Sequence, residues 1–273
     1  MTGTGHGVLV GYDGSPGSEQ ALLWATREAR LRDSIVTVCH AWASEYVPEL
    51  PGDARARRRA ERILTQGLRF ARDVMGPGRA WPLLAAHPAA RVLCEHSVDA
   101  DLVVVGAQGR WPSRLGSVGQ QVCAYARGPV VVVRGHWHPA AEFVPGPVVA
   151  GVDGSPASRA AMAFAAQEAT LRAVTLQVVS ALADAPGDPG EAGRMQAEID
   201  HGVAYLEKQH PELTILRQVS CGQPLAALLD AAAGAQLIVV GNRGGALPNM
   251  PLDSAAQAII QQAACPVGVV QPE

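Results

Sequence analysis

Residues 102–117 read LVVVGAQGRWPSRLGS. An apolar run, 102–105, stops at Gly106, and Gly109 follows three residues later. A polar loop then reaches Gly116-Ser117, where a helical pattern begins. Strand, glycine turn and helix start together hold phosphate well: glycines let the main chain approach an anion, and the N–H groups opening a helix point at it. An ordinary turn leaving a buried strand carries the same glycines, so this stretch alone leaves both readings open. It is not a Walker loop, because Gly-Lys-[Ser/Thr] is absent and Lys208 is the only lysine.

Repetition decides the architecture. Val10-Gly11-Tyr12-Asp13-Gly14-Ser15-Pro16 recurs as Gly151-Val152-Asp153-Gly154-Ser155-Pro156. Val104-Val105-Gly106-Ala107-Gln108-Gly109 recurs as Val239-Val240-Gly241-Asn242-Arg243-Gly244, and Pro129 before four apolar residues recurs as Pro266. The order is the same in both halves, at offsets of 140, 135 and 137, so small loop insertions and deletions separate the copies.

Working outward, the first half predicts strands at 8–12, 35–40, 81–85, 102–105 and 129–134, with helices at 18–32, 54–75, 90–98 and 116–126. The second half predicts strands at 148–152, 174–180, 214–219, 237–240 and 267–270. Its helices are predicted at 158–172, 194–210, 224–233 and 255–264, with a flexible loop at 183–193. Continuous apolar strands alternating with helices predict an α/β fold: two tandem doubly wound domains, each a mostly parallel five-stranded sheet with helices on both faces. The domains are 1–134 and 148–273, joined by a proline-bearing linker, 135–147.

Composition narrows the function. A chain of 273 residues with 48% hydrophobic content suits two folded domains. A net charge of −3 gives no overall basic character, which argues against nucleic acid and membrane as partners. No signal peptide opens the chain and no apolar run spans a bilayer. Cys39, Cys94, Cys123, Cys221 and Cys265 lack CxxC spacing, as expected of reduced thiols in the cytoplasm. Five arginines crowd the start of the predicted helix 54–75, open to reading as an anion or partner patch or as a solvated face. His136 and His138 have the spacing of a metal pair but no carboxylate or cysteine cluster beside them.

Four features then carry a resemblance over nearly the whole chain: VGYDGSPGSEQAL and AGVDGSPASRAAM, VCHAW, VVVGAQG and VVVGNRG, and RGPVVVVR and ACPVGVVQ. The chain resembles a tandem universal stress protein, two UspA-type domains in one polypeptide. The resemblance implies a five-stranded parallel fold and, in one branch of the family, ATP binding through G-x2-G-x9-G-[ST]. It implies Asp13 for ribose, main-chain groups of Val38 and Cys39 at the end of the second strand for adenine, and Gly106, Gly109, Gly116 and Ser117 for phosphates. ATP or ADP is the implied cofactor, with Mg²⁺ left open. It also implies that the last strands of the two domains pair with each other; a homodimer stays open.

This chain departs from the pattern. Six residues, not nine, separate Gly109 from Gly116, and Trp111 and Pro112 stiffen the shortened loop. In the second domain Asp253 stands where the family has glycine, and Pro248 and Pro251 reshape the loop. A carboxylate about 4 Å from a phosphate oxygen costs roughly 1 kcal/mol in water and about 4 kcal/mol at an effective dielectric of 20. The second site is therefore expected to be degenerate. Three functions follow: a nucleotide-binding regulator of the stress response, an interaction module that binds no nucleotide, and, least supported, a slow ATPase. No general base is placed in the glycine loop, and Arg110 and Arg114 explain phosphate binding without explaining turnover.

Overall fold

Val8, Leu9 and Val10, wholly buried, begin a strand that needs cover on both faces. The computed structural model describes residues 5–42, 54–107, 117–134, 146–182, 189–221, 223–242, 252 and 254–272. The chain divides into two compact units, Met1–Gly135 and His136–Glu273. The predicted loop 43–53, most of the linker with His136 and His138, and both glycine loops beyond Ala107 and Asn242 lie outside the described residues.

The first unit runs β1 (Gly7–Gly11), α1 (Pro16–Leu31), β2 (Val36–Ala41), α2 (Ala54–Met75), β3 (Ala80–Ala85), α3 (Ala89–His96), a 3₁₀ turn (Ser97–Asp99), β4 (Ala100–Gly106), α4 (Ser117–Tyr125) and β5 (Val130–Val133). Its strands lie in the order β3-β2-β1-β4-β5, all parallel. The second unit runs β6 (Val148–Val152), α5 (Pro156–Arg172), β7 (Leu176–Leu182), α6 (Pro189–Gln209), β8 (Ile215–Cys221), α7 (Pro224–Ala232), β9 (Leu237–Gly241), α8 (Ser254–Gln262) and β10 (Val267–Val270). Its order is β8-β7-β6-β9-β10, again all parallel. Both units have the α/β architecture expected from the alternation of elements.

The same local chemistry starts the first helix of each unit. Gly14 (φ +75°) and Gly154 (φ +76°) take the left-handed turn that other residues resist. Ser15 and Ser155 then cap α1 and α5 by accepting hydrogen bonds from the Ser18 and Ser158 amides at 3.2 Å. Pro16 and Pro156 sit in the first turn, where no N–H is needed. Each helix buries an alanine-rich face, Ala21, Ala25 and Ala29 in α1 and Ala161, Ala165 and Ala169 in α5. Both end on a buried glutamate paired one turn on with arginine, Glu28–Arg32 and Glu168–Arg172.

Most boundaries shift by one or two residues from the sequence reading, and two of the shifts have a local reason. α6 begins at Pro189, inside the predicted loop 183–193, because a proline is accepted in a first helical turn. β7 begins at Leu176 rather than 174. Ala173 takes a left-handed conformation (φ +53°), and the Val174 amide donates to Ala169 O at 3.0 Å, so both residues close α5.

Candidate functional site at the carboxyl ends of the first sheet

In the first unit the chain goes from β1 to β2 on one side and returns to β4 on the other. That reversal is a topological switch point, and doubly wound sheets take ligands beyond the carboxyl ends of the strands at such a point. Asp13 follows β1 and Gly106 ends β4, and register pairs Val10 with Val104. The structure thus brings two of the expected site residues to one edge of one sheet.

Asp13 is half-buried, and its conformation is set locally. Its Oδ1 accepts from the Ser15 amide at 2.9 Å, and its own amide donates to Ser18 Oγ at 3.3 Å. This is an Asx turn, so the carboxylate closes a turn whatever else it binds. Gly106 also has a packing reason: a Cβ there would lie 2.6 Å from Gly17 O, the main chain opening α1. Beside it the Ala107 amide donates to Val133 O at 2.8 Å, tying the strand end to β5. Ser117 is the first residue of α4. Gly109 and Gly116 lie outside the described residues.

Val38 and Cys39 lie elsewhere than expected. The side chains of both are buried in β2, and β2 continues to Ala41. Register places Val38 between Val10 and Pro82, and the Cys39 carbonyl already accepts from the Tyr12 amide at 2.8 Å. The carboxyl end of the strand is Ala41, and the Trp42 amide that follows it donates to Ala85 O at 3.1 Å. Burial pushes the Cys39 thiol up to about 12, which leaves it a packing group rather than a nucleophile. The same holds for Cys123 and Cys265.

Sequence reasoning passed over two neighbours, Tyr12 and His40. Tyr12 is buried, its ring under Gly67 of α2, where a Cβ would come within 2.7 Å of the ring. Burial, then Glu19 and Asp13, push its hydroxyl up, so it stays neutral. His40 is buried with Nδ1 2.7 Å from Tyr12 O, and because a carbonyl only accepts, Nδ1 carries the proton and donates. Both sit inside motifs already singled out, VGYDG and VCHAW; a histidine within a mostly apolar strand was the available signal.

The second unit repeats the frame with different contents. Asp153 makes the same turn, Oδ1 accepting from the Ser155 amide at 3.0 Å, but it is exposed. Gly241 is again indispensable to packing, a Cβ lying 2.4 Å from the Ala157 carbonyl carbon. Val152 stands for Tyr12, and by register Ser180 stands for His40. Where the first unit has Ala107, the second has Asn242, 1% exposed. The Asn242 amide donates to Val270 O at 2.8 Å and its Nδ2 to Gln271 Oε1 at 3.4 Å. The main-chain bond repeats that of Ala107, and the added side chain fills the strand end, tied to Gln271.

Comparison with known proteins agrees with this frame. The model of the universal stress protein family matches residues 6–134 and again 146–271. The chain belongs to the universal stress protein family and is a tandem of two such domains. A universal stress protein of Mycolicibacterium smegmatis is 33% identical, covering 100% of this chain and 99% of the relative. One from Mycobacterium tuberculosis is also 33% identical, over 97% of this chain and 96% of its own. Among solved structures, a universal stress protein from Archaeoglobus fulgidus superposes with a TM-score of 0.74 at 17% identity, covering 99% of this chain and all of that one, a likeness of fold.

Proposed function

We propose that this protein is a nucleotide-binding regulator of the stress response, with ATP or ADP held by the first unit and a degenerate site in the second. The observation that carries the reading is the difference at equivalent strand ends: half-buried Asp13 beside Ala107 in one unit, exposed Asp153 beside buried Asn242 in the other. The residues present fit a nucleotide. A carboxylate at Asp13 accepts from ribose hydroxyls, and the main chain of Ala41, at the carboxyl end of β2, would reach adenine where Val38 and Cys39 do not. Phosphates would lie along the loop from Gly106 to Ser117, with N–H groups of the first turn of α4 donating to them. Mg²⁺, when bound with the nucleotide, supplies charge neutralisation.

The rest of the proposal concerns setting and assembly. The described cysteines, Cys39, Cys94, Cys123 and Cys265, are free, which supports a reducing compartment such as the cytoplasm. No helix among the described residues is long and apolar enough to cross a membrane. β5 and β10 are each the last strand of an apolar sheet, and such edges are a liability unless paired, which supports the pairing of the two domains through them. A Val132→Pro protein melting at the wild-type temperature would speak against that pairing.

The nucleotide reading is tested by a thermal shift under Mg-ATP. At 100 times the Kd, a ligand bound only by the folded state adds about 2.7 kcal/mol of stability. Asp13→Ala should lose the shift and Asp153→Ala should keep it. No shift in the wild type would leave the interaction module without nucleotide as the function.

A further inference from the structure

Helix α2 carries more positive charge than its own stability favours. Its first turn holds no acidic residue, although that end of a helix dipole prefers anions. At 100° per residue, Arg55, Arg58, Arg62 and Arg69 fall within about 60° of arc and form one stripe. Arg58 and Arg62 stand four residues apart, a like-charge pairing that weakens a helix. Arg58, Arg62 and Arg69 are exposed, and among the described residues none of them makes an ion pair; Arg57, off the stripe, pairs with Glu61 at 2.9 Å. The described lining of one hollow of about 900 Å³ includes all four stripe arginines together with Glu61 and Gln66. The charge is also local: residues 1–135 hold 16 basic and 12 acidic side chains, residues 136–273 hold 6 and 13.

We propose that the α2 stripe is a docking surface for an extended acidic peptide segment of a partner protein. The spacing fits that ligand. Arg58 and Arg62 are about 6 Å apart along the axis, and Arg62 and Arg69 about 10.5 Å, at 1.5 Å per residue. An extended peptide presents every second side chain on one face, about 6.6 Å apart. Carboxylates two residues apart therefore match Arg58 and Arg62, and one a further two residues along comes within reach of the long Arg69 side chain. Carboxylates at such positions meet the three guanidinium groups in turn, and Gln66 between them offers an amide to the peptide main chain. A long nucleic acid fits worse, because the same chain carries seven excess acidic charges in residues 136–273. A lipid surface fits worse too, because the stripe is flanked by Glu61, Thr65 and Gln66, with Phe70, 39% exposed, the only large exposed apolar side chain of α2.

The test is fluorescence anisotropy with a labelled ten-residue peptide of alternating glutamate and serine, on the full-length protein. Binding at low salt should weaken at least tenfold in Arg58→Glu/Arg62→Glu/Arg69→Glu, and in the milder Arg58→Gln/Arg62→Gln protein if the first fails to fold. Arg159→Glu, a charge change on the second unit, should leave it unaltered. Absence of peptide binding overturns the proposal, as does binding that survives both stripe variants. Tighter stripe-dependent binding of a ten-nucleotide RNA, or of phosphatidylserine vesicles, would also overturn it in favour of that partner.

Discussion

The two units share a scaffold and differ where the strands end. Asp13 and Asp153 make the same turn, Ser15 and Ser155 the same cap, and Gly106 and Gly241 admit the same close approach of helix to strand. Around these points Tyr12, His40 and Ala107 in the first unit give way to Val152, Ser180 and Asn242 in the second. The shared residues are accounted for by folding alone. Their repetition is therefore poor evidence of binding, and the contents of each strand end carry the functional difference.

The largest expected effect probes the shared scaffold. Glu168→Ala leaves Arg172, whose side chain is 8% exposed, buried without its carboxylate. Breaking such a pair costs about 3–5 kcal/mol. Glu28→Ala should cost less, because Arg32 keeps 15% of its side chain in water. Urea unfolding of both variants checks the order, and equal losses would show that the two helix ends are buried alike in solution. Next in size is a change that moves one unit's contents into the other. Ala107→Asn should weaken Mg-ATP binding on the order of tenfold by titration calorimetry, with the fold retained by circular dichroism. Unchanged affinity would mean that filling this position does not close the site.

How far the sequence reaches depends on how far local chemistry decides. The bounds of α2, β6 and β10 match their apolar patterns, because nothing at those ends competes with periodicity. The start of α6 was hidden by ADAPGDPGEAG, whose prolines and glycines read as loop although Pro189 opens the helix. Asp13 and Gly106 were legible as a pair from the repeat. The end of β2 was not, since Val38, Cys39 and Ala41 are all apolar and only hydrogen bonding to β1 shows that Cys39 is already used. The filling of the second strand end was invisible, because Asn242 occupies an unspecified position of the glycine motif and its tie to Gln271 joins the ends of two strands far apart in sequence.

The smallest expected effect is a pH dependence confined to the first unit. His6 Nε2 lies 2.7 Å from His96 Nδ1, at the amino end of the sheet. Burial and then His96 hold the His6 imidazole below its ordinary 6.5, against an upward pull from Asp99. A depressed value in the folded state means that the unfolded chain binds more protons. Stability from this group is complete above about pH 6.5 and is lost as pH falls through the folded value. His6→Gln should flatten that part of a stability–pH curve, and an unaltered curve would assign the slope to other groups.

The most direct test counts nucleotides per chain. Protein saturated with Mg-ATP, freed of excess by gel filtration, would be denatured and its supernatant resolved against ATP, ADP and AMP standards. The account predicts about one nucleotide per chain, lost in Asp13→Ala and retained in Asp153→Ala. Two per chain would show that Asn242 and Asp253 do not disable the second site. None would contradict nucleotide binding by the first.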